Sequence, residues 1–178
     1  MEILRNILRK LSAVILLTNF VCLLSIFAQK PNQAIEAKVE NLLKQLTLDE
    51  KISMISGTGF DTVPIPRLGI PSLKMTDGPS GVRQAPATSF PSSIALAASF
   101  DTALIKRVAQ AIAQETKAKG KNVLLGPCVN IQRTPFGGRN FESFGEDPFL
   151  AAQMAVAYIK GIQSENVIPS VKHFAANN

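Results

Sequence analysis

The sequence predicts an α/β protein with a parallel sheet, because segments with the pattern of strands alternate with segments with the pattern of helices. Three short apolar runs, "SLKMTD", "NVLLGP" and "VIPSVKHF", are separated by two long helical patterns. A (β/α)8 barrel takes about 250 residues, and only 150 of the 178 residues follow the N-terminal 28. The alternation therefore predicts the N-terminal part of a (β/α)8 TIM-like barrel, incomplete in this chain.

Residues 1–28 have the pattern of a secretory signal peptide. The basic residues of "MEILRNILRK" precede the apolar run "LSAVILLTNFVCLLSIFAQ", and Ala28 is a suitable residue for cleavage. Ile26 is a poor residue at the third position before that cut, so a membrane anchor at residues 11–27 is the alternative. With cleavage, residues 29–178 form a secreted or periplasmic domain that has no stable membrane association.

Charge and cysteine content exclude several classes of protein. Removal of residues 1–28 leaves 16 basic and 12 acidic residues, a net charge of +4, and no arginine-rich run. Nucleic acid is therefore not an expected partner. Cys128 is the one cysteine outside the signal peptide, so we expect neither a disulfide framework nor a metal site of cysteine type, and we interpret Cys128 as a small buried apolar residue. The sequence gives no indication of oligomeric state.

The first structured segments after residue 28 are two helices followed by a loop. Apolar residues of "AIEAKVENLLKQL" recur at helical spacing. Thr47 and Glu50 then form the pattern of a capping box, which starts a short helix that runs to Ile55. Residues 57–71 contain three prolines and are predicted to be a loop without regular helix.

The first strand and the first long helix follow this loop. Residues 72–77 form the strand, and the turn "GPSG" comes directly after it. The helix begins at Ser99 or Asp101 as N-cap and ends at Gly120. Its predicted buried stripe consists of Leu104, Ile105, Val108 and Ile112.

The pattern then repeats once. Residues 122–127 have the continuous apolar character of a buried parallel strand, and residues 128–147 form a long loop. Asp147 and Pro148 start the second long helix as N-cap and first helical residue, and its body is "FLAAQMAVAYIKGIQSE". Residues 167–174 form the last strand.

Charged side chains follow each predicted strand. They are Asp77 and Arg83 after the first, Arg133, Arg139 and Glu142 after the second, and Lys172 and His173 at the end of the third. Ligands bind at the carboxyl ends of strands in parallel α/β folds, so we expect these side chains on one side of the sheet. This combination suits a polyhydroxylated ligand. An anionic metabolite is the alternative, because arginine and lysine also bind phosphate and carboxylate, although Asp77 would repel such a ligand.

Four segments carry a resemblance to a known family. They are "IPRLGIPSLKMTDGPSGVR", "FPSSIALAASFD", "GGRNFESFGEDPFL" and "VKHFAANN". In this order and spacing they resemble the N-terminal catalytic domain of glycoside hydrolase family 3, from about Ile35 to Asn178. The β-N-acetylhexosaminidase branch of that family follows K-H-F with P-G-H-G, whereas this chain reads K-H-F-A-A-N-N. The resemblance is therefore to the β-glucosidase/β-xylosidase branch.

The resemblance implies roles for particular residues. Asp77, Arg139, Lys172 and His173 correspond to residues that bind the sugar at the cleaved linkage, and Arg83 is a neighbour of the same pocket. The family's nucleophile is an aspartate on a later strand, and its acid/base is commonly a glutamate from a following domain. Neither is expected among these 178 residues, so the chain alone is expected to hydrolyse nothing. No metal or organic cofactor is implied.

Each of these candidates also has a structural interpretation. Asp77 suits the first position of a turn. Arg139 and Glu142 are three residues apart and could form a surface ion pair of little energetic value; we assign sugar binding to Arg139 and a structural role to Glu142. Neighbouring strand residues point to opposite faces, so we predict that the backbone departs from regular strand geometry at residues 172–174 and lets Lys172 and His173 face the same ligand.

The resemblance, together with the predicted signal peptide, implies an exported, exo-acting β-glycosidase. It would remove sugars from the non-reducing ends of β-linked oligosaccharides by a retaining mechanism. The alternative is a non-catalytic carbohydrate-binding or docking protein, anchored at the membrane by residues 11–27.

Overall fold

A computed structural model describes residues 32–175 and residue 177. The predicted signal peptide and the alternative membrane anchor lie outside the described residues. Within the described residues, no helix has both the length and the apolar character that crossing a bilayer requires. Contacts divide the chain into two compact units, with the boundary between Leu46 and Thr47.

The first unit contains helix α1, Gln33–Gln45. Asn32 caps it, because its side-chain oxygen accepts a hydrogen bond from the backbone N–H of Ala34 at 3.0 Å. Glu36 in the first turn and Lys44 in the last turn have the charges that the helix dipole favours. The helix predicted from the apolar spacing is thus confirmed.

The second unit begins with the predicted capping box. Helix α2 is Leu48–Ser56, and both reciprocal bonds of the box are present: Glu50 N–H donates to the Thr47 hydroxyl, and Thr47 N–H donates to the Glu50 carboxylate. The proline-containing loop that follows has no α-helix and forms a single 3-10 turn at Pro66–Leu68.

The sheet has three parallel strands in the order β1-β2-β3. They are β1, Met75–Asp77; β2, Val123–Leu125; and β3, Ile168–Pro169. Asp77 pairs with Leu125, so these two strands end at the same level. The predicted parallel α/β arrangement is confirmed, but the strands are shorter than predicted. Ser72 and Leu73 bond to Thr62 instead of continuing β1, and Lys172 forms an isolated bridge with Cys128 beyond the end of β3.

Three helices pack beside the sheet in chain order. They are α3, Ser93–Ala97; α4, Thr102–Ala118; and α5, Pro148–Ser164. Asp101 caps α4 and Asp147 caps α5, each through a side-chain oxygen that accepts a backbone N–H of the first turn. Helix α3 was not predicted, because five residues are too few for an apolar period to be recognised.

The buried face of α4 differs from the predicted stripe. Leu104 and Val108 are only partly buried, whereas Ala109 and Ala113 are fully buried. The cause is a close approach of α5 at Gly161, where a Cβ atom would lie 2.5 Å from the Lys106 carbonyl oxygen. The centre of the contact is therefore made by small residues, and the larger side chains lie at its margin.

The core couples the helices to the loop that follows β1. Its larger members are Leu96, Ile105, Ile112, Leu124, Phe144, Met154, Tyr158 and Ile162. The hydroxyl of Tyr158, on α5, donates a hydrogen bond to the Pro79 carbonyl at 3.0 Å. Burial raises the pKa of the Tyr158 phenol, so the hydroxyl keeps its proton and remains a donor. This contact holds the turn after Asp77 in place.

Candidate functional site

Asp77, the last residue of β1, contacts Lys172, which lies beyond the end of β3. These two strands are not neighbours in the sheet. Lys172 Nζ donates to Asp77 Oδ1 at 2.5 Å, and the Gly78 N–H donates to the same oxygen at 3.0 Å. Arg83 Nη1 lies 3.3 Å from Asp77 Oδ2, and the Arg83 side chain is 67% exposed. The sequence placed these three side chains at one edge of the sheet, and the structure brings them into direct contact.

The turn after Asp77 requires glycine. Gly78 has φ +142°, and a Cβ atom there would lie 1.8 Å from the Gly81 carbonyl oxygen. The chain doubles back tightly, so that the Arg83 N–H donates to the Asp77 carbonyl at 3.1 Å. This backbone contact places the Arg83 side chain beside the carboxylate.

The Asp77 carboxylate is held in its ionised form. Burial by itself would raise its pKa, but the hydrogen bond from Lys172 and the charges of Lys172 and Arg83 outweigh burial, so the pKa of Asp77 lies below its usual value. At neutral pH the site therefore presents a partly buried anion between two cations.

Arg139 is oriented by a buried partner. Its Nε and Nη2 atoms donate to the two oxygens of Glu142 at 3.1 and 2.6 Å. Glu142 is only 6% exposed, whereas the Arg139 side chain is 48% exposed. The hydrogen bonds from Arg139 lower the pKa of Glu142 and raise that of Arg139. The pair is thus more than a surface contact, since the buried carboxylate fixes a guanidinium that still reaches solvent.

Cys128 contacts the carboxylate of Glu142. The residue is 1% exposed, which confirms its predicted burial, and its Sγ lies 3.5 Å from Glu142 Oε2. Burial raises the pKa of the Cys128 thiol to about 12. The thiol therefore stays protonated and donates a weak hydrogen bond to the carboxylate.

Lys172 and His173 lie in irregular backbone, as predicted, since β3 ends at Pro169 and Lys172 forms an isolated bridge with Cys128. The peptide bond between them is cis. Lys172 points to Asp77, and the His173 ring lines a cavity of about 200 Å³ together with Arg139, Gln132 and Asn140. The two side chains thus have different partners: Lys172 contacts Asp77, and His173 lies beside Arg139 at the cavity.

Asn130 holds His173 in place. Its Oδ1 accepts the His173 backbone N–H at 2.9 Å, and its Nδ2 donates to the His173 carbonyl at 3.2 Å. Burial, with the positive charges of Arg139 and Lys172, lowers the pKa of the His173 imidazole below its usual value. The ring is therefore neutral at pH 7.

Asp77 is in direct contact with Lys172 and Arg83, whereas Arg139 and His173 line a cavity whose lining residues do not include those three. Arg133, a further charged candidate, is exposed. Sequence reasoning missed Asn130 and the contribution of the Cys128 thiol. The available signal was spacing: Asn130 is two residues after the buried Cys128, so in extended backbone both point to the same side. Among the described residues, no group of three or more histidine, cysteine or acidic side chains could hold a metal ion.

The fold is a parallel α/β arrangement with charged side chains in contact at the carboxyl edge of its sheet. The chain matches the glycosyl hydrolase family 3 N terminal domain over residues 21–178. It therefore belongs to this family, whose N-terminal domain is a TIM barrel, and the predicted fold class is confirmed.

Curated relatives and solved structures agree with this assignment. The chain is 47% identical over 154 residues to thermostable β-glucosidase B of Acetivibrio thermocellus, covering 79% of this chain and 20% of that protein. It is 49% identical over 148 residues to β-glucosidase B of Emericella nidulans, covering 79% and 18%. β-Glucosidase 3B of Thermotoga neapolitana in complex with glucose matches with a TM-score of 0.75 and 38% identity, covering 79% and 23%. The chain thus spans about a fifth of the length of these relatives.

Proposed function

We propose that this chain supplies sugar-binding residues of an exo-acting β-glycosidase of the β-glucosidase type. The substrate class would be β-linked oligosaccharides or glycosides, cleaved at their non-reducing ends. The single observation that carries the proposal is the contact of Lys172 and Arg83 with Asp77 at the carboxyl edge of the sheet. The proposal is also supported by the similarity of this chain to β-glucosidases, one of them solved in complex with glucose.

The chemistry of the cluster suits sugar hydroxyls. The ionised Asp77 carboxylate would accept hydrogen bonds from hydroxyl groups, while Lys172 and Arg139 would donate to hydroxyl oxygens. His173 would make a further hydrogen bond as a neutral imidazole, and Arg83 would border the same pocket. Because Glu142 fixes Arg139 and Asn130 fixes His173, the donors and acceptors would be in position before the sugar arrives.

A retaining mechanism requires a nucleophilic carboxylate and a second carboxyl group that donates a proton to the leaving oxygen. The two carboxylates of the cluster, Asp77 and Glu142, both have lowered pKa values. A carboxyl group that is ionised at neutral pH cannot serve as the proton donor. Neither residue is therefore assigned as the proton donor: we assign sugar binding to Asp77 and support of Arg139 to Glu142. The ionised state would also suit a nucleophile, and it is the family resemblance that puts the nucleophile on a later strand and the acid/base in a following domain.

The remaining parts of the proposal concern cofactor and destination. The mechanism uses two carboxyl groups and water, so it needs no metal or organic cofactor. The N-terminal pattern of residues 1–28 supports a secreted or periplasmic protein. The alternative function, a membrane-anchored protein that binds carbohydrate without catalysis, is not favoured, because the relatives of this chain are β-glucosidases.

Calorimetry with two ligands of different chemistry tests this function. We expect D-glucose to bind the 178-residue chain with saturation, and we expect inorganic phosphate not to displace it. We also expect the chain to release no 4-nitrophenol from 4-nitrophenyl β-D-glucoside.

Two results would contradict the proposal. Binding of phosphate in place of glucose would identify an anion site. Release of 4-nitrophenol that is abolished in the Asp77→Ala variant would show that these residues carry out the chemistry as well as the binding.

A further inference from the structure

In a sheet, a neighbouring strand bonds to the backbone N–H and carbonyl groups of a residue. At His173 the side chain of Asn130 makes bonds of this kind. It bonds to both backbone polar groups of that residue: Oδ1 accepts the N–H at 2.9 Å, and Nδ2 donates to the carbonyl at 3.2 Å. The same Oδ1 lies 3.2 Å from Nδ1 of the His173 ring. One amide therefore contacts both the backbone and the ring of this histidine.

These backbone contacts fix the orientation of the Asn130 amide. A backbone N–H only donates and a backbone carbonyl only accepts. Rotation of the amide by 180° would set donor against donor and acceptor against acceptor, with the loss of two hydrogen bonds. The atom that faces His173 Nδ1 from Asn130 is thus an oxygen, which can only accept.

A second amide, that of Asn177, also reaches the ring. Its Nδ2 lies 3.1 Å from His173 Nδ1. Asn177 is exposed, and in the described part of the chain its side chain makes this contact alone. Rotation of the Asn177 amide would present its oxygen to Nδ1 at no cost in other hydrogen bonds. If the two amides favour different tautomers of His173, Asn130 therefore determines which tautomer forms, because only its amide is fixed by other hydrogen bonds.

We propose that Asn130 is a positioning residue that keeps the proton of the neutral His173 ring on Nδ1 and leaves Nε2 as a hydrogen-bond acceptor. An Nδ1–H donates to Asn130 Oδ1, whereas an unprotonated Nδ1 would set two acceptors against each other. The lowered pKa of His173 agrees with a neutral ring.

The effect of this tautomer on sugar binding rests on the proposed function. With Nε2 as acceptor, His173 would receive a hydrogen bond from a sugar hydroxyl, as Asp77 would, while Lys172 and Arg139 would donate. The site would then offer two acceptors and two donors. A sugar hydroxyl must donate to each accepting side chain and accept from each donating one. The site would therefore favour those orientations of the sugar hydroxyls that satisfy all four side chains.

Nitrogen-15 NMR of the chain in the absence of sugar tests the inference, because His173 is the one histidine of the sequence. At neutral pH we expect Nδ1 to carry the proton and Nε2 to have the chemical shift of an unprotonated ring nitrogen. The Asn130→Ala variant should move the ratio of the two tautomers about tenfold toward Nε2–H, which is the value of one hydrogen bond. The Asn177→Ala variant is the matched control and should retain Nδ1–H.

A further variant covers a failure of Asn130→Ala to fold. Asn130→Asp retains an oxygen that faces Nδ1 but loses the hydrogen bond from Nδ2 to the His173 carbonyl. Above the pKa of His173 it should keep the Nδ1–H tautomer, and its negative charge should raise that pKa. A predominant Nε2–H form in the wild-type chain would overturn the inference. So would an equal change in the Asn130→Ala and Asn177→Ala variants.

The inference and the proposed function fail separately. A chain that binds glucose while its free form carries the proton on Nε2 refutes the inference alone. A chain with the proton on Nδ1 that binds no glucose supports the inference and refutes the function.

Discussion

The Asp77→Asn variant is expected to bind D-glucose about 100-fold more weakly than the wild-type chain. Asparagine preserves the shape of the side chain but removes the charge, and charge-assisted hydrogen bonds contribute about 3 kcal/mol at most, which corresponds to about two decades in Kd. Asp77 also accepts from Lys172 Nζ at 2.5 Å. The substitution therefore also leaves a partly buried ammonium without its counter-ion, and the position of Lys172 is lost together with the acceptor.

Calorimetry at neutral pH measures this effect. Asp49→Asn is the matched control, because Asp49 is an exposed residue in the first turn of α2. It should bind glucose as the wild-type chain does. Equal affinity in the Asp77→Asn variant and the wild-type chain would show that this carboxylate does not contact the sugar.

The pH dependence of glucose binding provides a second test of the role of the Asp77 carboxylate. The pKa of Asp77 is lowered from 3.8 in the folded chain, so its ionised form persists as the pH falls to that value. The decline in glucose affinity that follows protonation of this carboxylate should therefore have its midpoint below pH 3.8. A decline centred above 3.8 would mean that burial outweighs Lys172 and Arg83.

The Gly161→Val variant is expected to have the largest effect on stability. A Cβ atom at residue 161 would lie 2.5 Å from the Lys106 carbonyl oxygen and 2.7 Å from the Ala109 Cβ. Neither atom belongs to a flexible side chain, so α4 and α5 must move apart. Overpacking of this kind lowers the free energy of unfolding by about 3 kcal/mol, or roughly 10 °C in melting temperature for a chain of this size.

Thermal and urea unfolding of the Gly161→Val variant would measure this loss. Gln163→Val places the same β-branched residue on the exposed side of α5, and it should cost less than about 1 kcal/mol, the range of helix propensities. Equal melting temperatures for the two variants would contradict the close contact between the helices.

The sequence predicted the elements that depend on local chemistry. The N-caps Asp101 and Asp147 and the capping box at Thr47 and Glu50 are all present, because each uses hydrogen bonds within one turn of the chain. The buried stripe of α4 was predicted less well. Its position depends on Gly161, about 50 residues away along the chain, and the apolar period of α4 carries no information about how closely α5 approaches.

The site was predicted in the same uneven way. Strand ends and the family motifs selected Asp77, Arg139, Lys172 and His173, and the structure places Asp77 in contact with Lys172 and Arg139 on the same cavity as His173. The partners that orient these side chains were not predicted as such. Glu142 becomes a fixed support for Arg139 only because the fold buries it, and Asn130 acts through the irregular backbone of residue 173. Both effects arise from contacts across the fold.

A glucose titration followed at the His173 imidazole tests whether these residues form one sugar-binding site, as proposed. His173 is the one histidine of the chain, so its ring signals need no assignment by mutation. We expect glucose to shift these signals with saturation, with the same Kd that calorimetry gives, and we expect the shift to disappear in the Asp77→Asn variant. Imidazole signals that stay unchanged while calorimetry reports bound glucose would place the sugar elsewhere and refute a single site.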